Sequence, residues 1–337
     1  MTIMRPPTLA DVYAARKNVY SAVARTPLIR HPLLANALGL DVLVKHENHL
    51  PTCAFKVRGG LALIARLSAD ERSRGVITAT TGNHGQSIAL ACHRHGVSCT
   101  IVVPVGNNPE KNAAMRSWGP TLIEHGRDFD EARELVERLS VERGLRYVHS
   151  ANEPWLIAGV ATYALEIFED APDVDVILAP IGGGSGAAGL VTVRDALGRS
   201  TRIIGVQAEA ADAFAASWRT GQRLVRPTAA TFAEGMATRV TFDLTFGILQ
   251  KGLDDIVTLP EEALADGVRL ALQTTHNLAE GAGAASIAAA FALRDQLAGR
   301  RVVCVMSGGN LDAATLNRLI AVPARSSASP ESNPPSA

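Results

Sequence analysis

Residues 182–189 read GGGSGAAG, and this glycine-rich turn is the most informative stretch of the chain for its fold. It comes directly after the apolar, β-branched run Val174–Ala179, which predicts a buried strand. Glycine lets a backbone approach an anion closely, and the free N–H groups at the start of a following helix then point at that anion. The segment therefore predicts a strand, a turn and a helix that together bind a phosphate.

Two further glycine-containing turns follow predicted strands. TTGNHGQ occupies Thr80–Gln86 after the run Val76–Thr80, and SGGN occupies Ser307–Asn310 after the run Arg301–Met306. In an open α/β sheet, loops at the carboxyl ends of the strands converge on one crevice. The three turns therefore predict a single site for an anionic ligand, built from three distant parts of the chain.

The remaining sequence alternates short β-branched runs with longer amphipathic stretches, which predicts repeated βα units and a mainly parallel sheet. Further strands are predicted at Val42–Lys45, Cys99–Pro104, Thr121–Glu124, Tyr147–His149 and Arg202–Ala208. Helices are predicted at Gln86–His95, Asp128–Arg143, Ile157–Glu169, Glu261–Thr274 and Gly283–Leu297. The Ser/Pro-rich end of the chain lacks apolar periodicity and predicts a disordered tail over residues 323–337.

Composition narrows the functional classes. The chain has 337 residues, of which 47% are hydrophobic and only 4% aromatic, as expected for helices packed on a buried parallel sheet. Its 33 Lys and Arg residues balance 33 Asp and Glu residues, so no overall charge favours nucleic acid or an acidic membrane. No signal-peptide core and no long apolar run occur, so we expect a cytoplasmic protein without a membrane partner. Four cysteines without CxxC spacing are expected to be reduced, buried thiols.

One competing interpretation comes from the same glycine-rich turn. Gly184, Gly186 and Gly189 match the dinucleotide fingerprint GxGxxG, and Glu209 lies about 20 residues further on, where a ribose-binding acid would belong. A nicotinamide or flavin enzyme is therefore an alternative. Against it stand the position of the motif in the second half of the chain and a lysine-centred segment upstream, which a dinucleotide site leaves unexplained.

That upstream segment, Lys45–Gly60, reads KHENHLPTCAFKVRGG. It resembles the cofactor-lysine signature of the serine/threonine dehydratases, KxENxxxTGSFKxRGA, within the fold-type II pyridoxal-phosphate enzymes. The resemblance extends from Thr26 to Asp312 and recurs in order at TTGNHGQ, at the helix with Gly159 and Glu166, at GGGSGAAG, at FAEGMA (Phe232–Ala237), at EGAGA (Glu280–Ala284) and at SGGN. Six motifs in register are specific for a family, but much less so for a substrate.

The resemblance implies a two-lobed α/β fold like that of the tryptophan synthase β chain, in which each lobe is a mainly parallel twisted sheet flanked by helices. It implies a large domain that binds pyridoxal 5′-phosphate, formed by residues 1–50 and 151–322, and a small domain, residues 51–150, that binds the substrate carboxylate. It also implies a homodimer.

The resemblance assigns a role to each motif residue. Lys56 would hold the cofactor as a Schiff base and take the substrate's α-proton, and Thr81 would handle protons on the opposite face. The other implied cofactor-binding residues are Phe55, Asn83, Gly182, Gly183, Gly184, Ser185, Gly186, Gly235, Glu280 and Ser307. The implied substrate-binding residues are Thr80, Thr81, Gly82 and His84. Of these, Asn83 would meet the cofactor's 3′-oxygen, residues 182–185 its phosphate and Ser307 its pyridine nitrogen.

The activity implied is that of an ammonia-lyase in amino-acid catabolism, which converts a 3-hydroxy L-amino acid of the threonine or serine type to a 2-oxo acid and ammonia. A lyase for a bulkier or modified substrate, such as threo-3-hydroxyaspartate, phenylserine or a hydroxyectoine-derived compound, and a serine racemase-like enzyme are the alternatives. The methyl group of Thr81 crowds its face and favours a lyase over a racemase. Gln207 and Ala213 stand where racemase-like members have metal-binding carboxylates, so we expect no metal. Trp155 could line a larger substrate pocket, although an aromatic residue there more often packs in the core.

Overall fold

The strands of the protein form two separate sheets in the computed structural model, which describes residues 5–321. The predicted tail, 323–337, lies outside these residues. The strands are β1 (Leu28–Ile29), β2 (Asp41–His46), β3 (Val76–Ala79), β4 (Cys99–Val103), β5 (Thr121–Glu124), β6 (Arg146–Tyr147), β7 (Val176–Pro180), β8 (Arg202–Ala208), β9 (Asp255–Leu259) and β10 (Arg301–Met306).

Helices connect the strands and cover both sheets. They are α1 (Leu9–Tyr20), α2 (Pro32–Leu38), α3 (Lys56–Ile64), α4 (Ala69–Arg74), α5 (Asn83–His95), α6 (Pro109–Arg116), α7 (Phe129–Glu142), α8 (Pro154–Val160), α9 (Thr162–Asp170), α10 (Ser185–Ala196), α11 (Ala213–Thr220), α12 (Asp243–Gly252), α13 (Glu261–Thr275), α14 (Gly281–Ala292) and α15 (Ala313–Ile320). Within residues 5–321, no helix combines the length and apolar character that crossing a membrane requires.

The larger sheet has the strand order β1-β2-β10-β7-β8-β9, and the smaller one the order β5-β4-β3-β6. Every pairing is parallel except that of β1 with β2. The larger sheet takes its strands from residues 28–46 and 176–306, and the smaller one from residues 76–147. The prediction of an α/β fold with mainly parallel sheets is confirmed.

Alternate residues of β10 show why the larger sheet is buried on both faces. Val303 and Val305 belong to one hydrophobic core, whereas Val302, Cys304 and Met306 belong to another. Successive side chains of a strand point to opposite faces of the sheet. Helices therefore pack on both sides of β10, as expected for a parallel sheet joined by crossover helices.

The predicted helix Ile157–Glu169 is instead divided into α8 and α9 at Ala161. The Thr162 hydroxyl donates to the Gly159 carbonyl at 2.7 Å, and the Ala164 N–H donates to the Ala161 carbonyl three residues back. Such side-chain and short-range bonds compete with the regular helical pattern. Two strands, β1 and β9, were not predicted; β1 has only two residues, too few to show a periodic pattern.

Candidate active site

The three glycine-containing turns meet in one cavity at the carboxyl ends of β3, β7 and β10. Its lining includes every residue to which the resemblance assigned a catalytic, cofactor-binding or substrate-binding role: Phe55, Lys56, Thr80, Thr81, Gly82, Asn83, His84, Gly182, Gly183, Gly184, Ser185, Gly186, Gly235, Glu280 and Ser307. Residues that sequence reasoning missed complete the wall: Ala79, Lys111, Phe129, Ser150, Pro180, Glu234, Ala237, Thr238, Phe242 and Ala282.

Lys56 is the first residue of α3 and points across the cavity. Its Nζ donates to Ser185 Oγ at 2.9 Å and lies 5.2 Å from the centre of the Phe55 ring. Burial lowers the pKa of Lys56 to about 8, because an ammonium ion loses its hydration there. A larger share of this amine is therefore neutral near physiological pH, and only the neutral amine attacks an aldehyde.

The turn before α10 forms a cradle that only glycine can build. Gly184 has φ +86°, a left-handed conformation that other residues rarely adopt, and a Cβ on Gly182 would collide with the carbonyl oxygen of Gly235. The 12-residue helix α10 starts at Ser185, so its free N–H groups and positive dipole end face the cavity. These features fit a bound phosphate, to which the Ser185 hydroxyl adds a donor.

The amide of Asn83 is held in one orientation by two neighbours from the other side of the cavity. Its Nδ2 donates to Glu280 Oε1 at 2.6 Å, and its Oδ1 accepts from Asn310 Nδ2 at 2.7 Å. Burial raises the pKa of Glu280, although Lys111 and the bond from Asn83 oppose this shift. Since Glu280 accepts only one of the two hydrogens on Asn83 Nδ2, the second hydrogen is available to a ligand.

The first turn of α5 contains a buried polar side chain that lacks a well-aligned hydrogen bond. His84 is buried, and its ring nitrogens make no hydrogen bond of good geometry among the described residues, although the Val148 backbone lies close enough to oppose the fall in its pKa. Burial, reinforced by the charge of Lys56, lowers the pKa of His84 to about 3, so its ring is neutral. Thr80 has a structural task, since its hydroxyl accepts hydrogen bonds from the N–H groups of Gly82 and Gly85 at 2.9 and 3.2 Å. A buried, unsatisfied imidazole is costly and suits a polar ligand.

Three residues outside the cavity correct or refine expectations from the sequence. Cys53 is exposed rather than buried and has φ +51°, which explains why the dehydratase signature has glycine at this position. Trp155 does not line the cavity; its ring lies 3.6 Å from the Arg66 guanidinium carbon and packs against the core. Asp212, which precedes the Ala213 position discussed for a metal, is paired with Arg226 at 2.7 Å. No cluster of three metal-binding side chains occurs in residues 5–321.

Comparisons with known proteins agree with this geometry. Residues 19–308 match the family model described as pyridoxal-phosphate dependent enzyme. The chain is 38% identical to the L-threonine ammonia-lyase of Thermotoga maritima, over 93% of this chain and 78% of that protein. It is 31% identical to the L-threo-3-hydroxyaspartate ammonia-lyase of Saccharomyces cerevisiae, over 93% of this chain and 96% of that protein.

Solved structures give the same result. The processed form of threonine deaminase isoform 2 from Solanum lycopersicum matches with a TM-score of 0.86 at 29% identity, covering 95% of this chain and 96% of that one. Maize serine racemase matches with a TM-score of 0.88 at 26% identity, covering 94% and 98%. The resemblance to serine/threonine dehydratases and the two-lobed fold are thereby confirmed, and the matches favour the lysine-centred interpretation over a dinucleotide site. The chain belongs to the family of pyridoxal-phosphate-dependent enzymes.

Proposed function

We propose that this protein is an ammonia-lyase that converts a 3-hydroxy L-amino acid of the threonine or serine type to a 2-oxo acid and ammonia. The observation that carries the proposal is the partly buried amine of Lys56, which faces the phosphate cradle and donates to Ser185 Oγ at 2.9 Å. The loop at residues 80–84 lies in the same cavity and offers backbone N–H groups at the start of α5. L-threonine ammonia-lyases are among the relatives that cover most of the chain.

The residues present fit pyridoxal phosphate. Lys56 would bind its aldehyde, residues 182–186 its phosphate, Asn83 its 3′-oxygen and Ser307 its ring nitrogen. When bound, the cofactor supplies an electron sink for the pair left behind when the substrate's α-proton departs. The Ser307 hydroxyl donates to the Ala282 carbonyl at 3.3 Å, so it presents a neutral oxygen and no formal charge to the ring.

Lys56 would also act as a base in the reaction. A neutral amine with a pKa of about 8 is matched to proton abstraction near physiological pH, so Lys56 accepts the α-proton. The α-carboxylate would lie at residues 80–84, where N–H groups and the helix dipole of α5 favour an anion. Thr81 lies on the same loop. Its branched side chain has few rotamers, and its methyl group crowds the face on which a racemase handles a proton, which supports elimination over racemisation.

The walls of the cavity favour a neutral substrate side chain. Phe129 and Phe242 line it, and Arg239, next to the lining residue Thr238, is already paired with Asp130 at 2.9 Å and with Asp128. The lining cation Lys111 is likewise paired, with Glu234 at 2.6 Å, so a second carboxylate, as in 3-hydroxyaspartate, would have to displace an acidic partner from one of these two cations. This supports threonine or serine as the substrate.

The proposal includes the domain division, the assembly and the biological role. Residues 1–50 and 151–322 would form the cofactor-binding domain and residues 51–150 the substrate-carboxylate domain, which is supported by the division of the strands between two sheets. The protein would be a homodimer that serves amino-acid catabolism. Light scattering during size-exclusion chromatography of the holoprotein tests the proposed homodimer, and the mass of a monomer would contradict it.

The activity is tested by incubating the purified holoprotein with L-threonine, L-serine and threo-3-hydroxyaspartate and measuring ammonia and 2-oxo acid. We expect both products from threonine or serine, and none from a Lys56→Ala variant. Lys17→Ala, which removes an exposed lysine on α1, is the matched control and should behave as the parent protein. Full activity in Lys56→Ala, or no product from any of these amino acids, would contradict the proposal.

A further inference from the structure

Lys111 brings a second ammonium group into the cavity, beside the loop proposed to bind the substrate. It lies on α6, and its stem packs so closely on Gly82 that a Cβ built there would be 2.9 Å from Lys111 Cδ. Its Nζ lies 2.6 Å from Glu234 Oε2. Lys56 and Lys111 are the only lysines or arginines that line this cavity within the described part of the chain.

The acidic groups of the cavity require a permanent counter-charge, which Lys111 can provide. Glu234 and Glu280 contribute carboxyl groups to its lining, and the cofactor would add a phosphate. Lys56 is engaged by the cofactor and cannot serve as a permanent counter-charge. A substrate carboxylate that enters the loop at residues 80–84 loses its hydration, and a buried carboxylate without a charged partner is strongly unfavourable.

The exposed fractions of the two side chains show which member of the Lys111–Glu234 pair can move away from the other. The Lys111 side chain is only 10% exposed, whereas that of Glu234 is 37% exposed. Glu234 can therefore turn towards water at little cost, while Lys111 is confined over Gly82. An incoming carboxylate could replace Glu234 as the acceptor of the Lys111 ammonium.

We propose that Lys111 is a substrate-binding residue that pairs with the α-carboxylate of the amino acid, and that Glu234 competes for the same ammonium and so weakens substrate binding. The inference rests on the proposed function, because it concerns the affinity of the same cavity for an amino acid. It differs from a purely structural role, in which the ion pair fastens α6 to the turn at Glu234–Met236. If the ion pair were purely structural, loss of either partner should change KM in the same direction. Competition predicts that loss of Lys111 raises KM and that loss of Glu234 lowers it.

The test is the KM of the holoenzyme for L-threonine in three variants. Loss of a charge-assisted hydrogen bond should raise KM about tenfold in Lys111→Gln, and Glu234→Gln should lower it severalfold, while kcat stays within about threefold in both. The double variant should match Lys111→Gln, since Glu234 acts through Lys111. Arg116→Gln, which removes a cation of α6 from an exposed pair with Glu124, is the matched control and should leave KM unchanged.

A second readout does not depend on turnover. Calorimetric titration of each holoprotein with propionate, a plain monocarboxylate, should show weaker binding in Lys111→Gln and tighter binding in Glu234→Gln. An increase in KM in both single variants, or a fall in KM on adding Glu234→Gln to Lys111→Gln, would overturn the inference. If propionate follows the expected order but no hydroxy amino acid yields a 2-oxo acid, the inference stands and the proposed lyase activity fails.

Discussion

Replacement of Arg58 by methionine should strongly destabilise the protein. Arg58 lies two residues after Lys56 on α3 and is completely buried. Its guanidinium donates to both oxygens of Glu47, at 2.7 and 2.9 Å, and to both oxygens of Glu166, at 2.6 and 3.0 Å. Lys45 is the other cation of this cluster and contacts Glu166 at 2.5 Å.

The magnitude follows from what the variant leaves behind. Methionine fills much of the arginine's volume but leaves two fully buried carboxylates with one cation, and breaking such a buried pair costs about 3–5 kcal/mol. This is a large part of the roughly 5–15 kcal/mol that stabilises a typical native protein. Burial opposes ionisation of Glu166, yet the charge and hydrogen bonds of Arg58 hold the pKa of Glu166 at about 2.

The same pKa predicts how the loss depends on pH. A carboxyl group whose pKa is lowered on folding stabilises the protein above its unfolded pKa, and this contribution is lost as the pH falls towards the folded value. Without Arg58 the carboxyl takes up a proton more readily, so the destabilisation should be largest near neutral pH and smaller at about pH 5. Urea unfolding of both holoproteins at the two pH values measures this difference. Arg5→Met, at an exposed arginine that is paired with Asp11, is the control and should change the urea midpoint little at either pH. A loss below about 1 kcal/mol in Arg58→Met at neutral pH would refute the reasoning.

Three further predictions concern other positions. Burial lowers the pKa of His84 to about 3 and that of His46 to about 4, so the stability that these neutral rings contribute should be complete above about pH 6.5 and lost as the pH falls towards 4; a urea midpoint that does not change over this range would contradict this. Cys53→Gly should have a free energy of unfolding equal to that of the parent or up to about 1 kcal/mol higher, because glycine adopts φ +51° without strain, whereas Cys53→Val should be destabilised. Equal melting temperatures for the two variants would argue against strain at this residue. Gly182→Ala should bind the cofactor at least about tenfold more weakly, because its Cβ collides with the Gly235 carbonyl, and undiminished visible absorbance after gel filtration would be the contrary result.

The sequence predicted the central parts of the fold because the glycine turns and buried strands have strong local causes. Strands β5, β8 and β10 begin and end where the β-branched runs do. Glycine at 182 and 184 is required by close backbone approach and by a left-handed conformation, and both causes leave a visible mark in the sequence. The resemblance then connected Lys56 with these turns, and the structure brings them into one cavity.

The parts that could not be predicted depend on contacts between distant residues. Lys111 lies in an ordinary amphipathic helix, and only the packing of its stem on Gly82 distinguishes it from a surface lysine. Asn310 belongs to the motif SGGN, but its bond to Asn83 joins residues 227 positions apart and could not be read from that motif. The exposure of Cys53 likewise follows from tertiary structure, whereas the sequence predicted a buried thiol.

The most direct test of the account is chemical capture of the cofactor. Purified protein loaded with pyridoxal phosphate is reduced with borohydride, digested and analysed by mass spectrometry. The account predicts that the visible band disappears and that the peptide containing Lys56 gains the mass of one reduced phosphopyridoxyl group on that side chain. An unmodified Lys56, or the label on Lys111 instead, would contradict it.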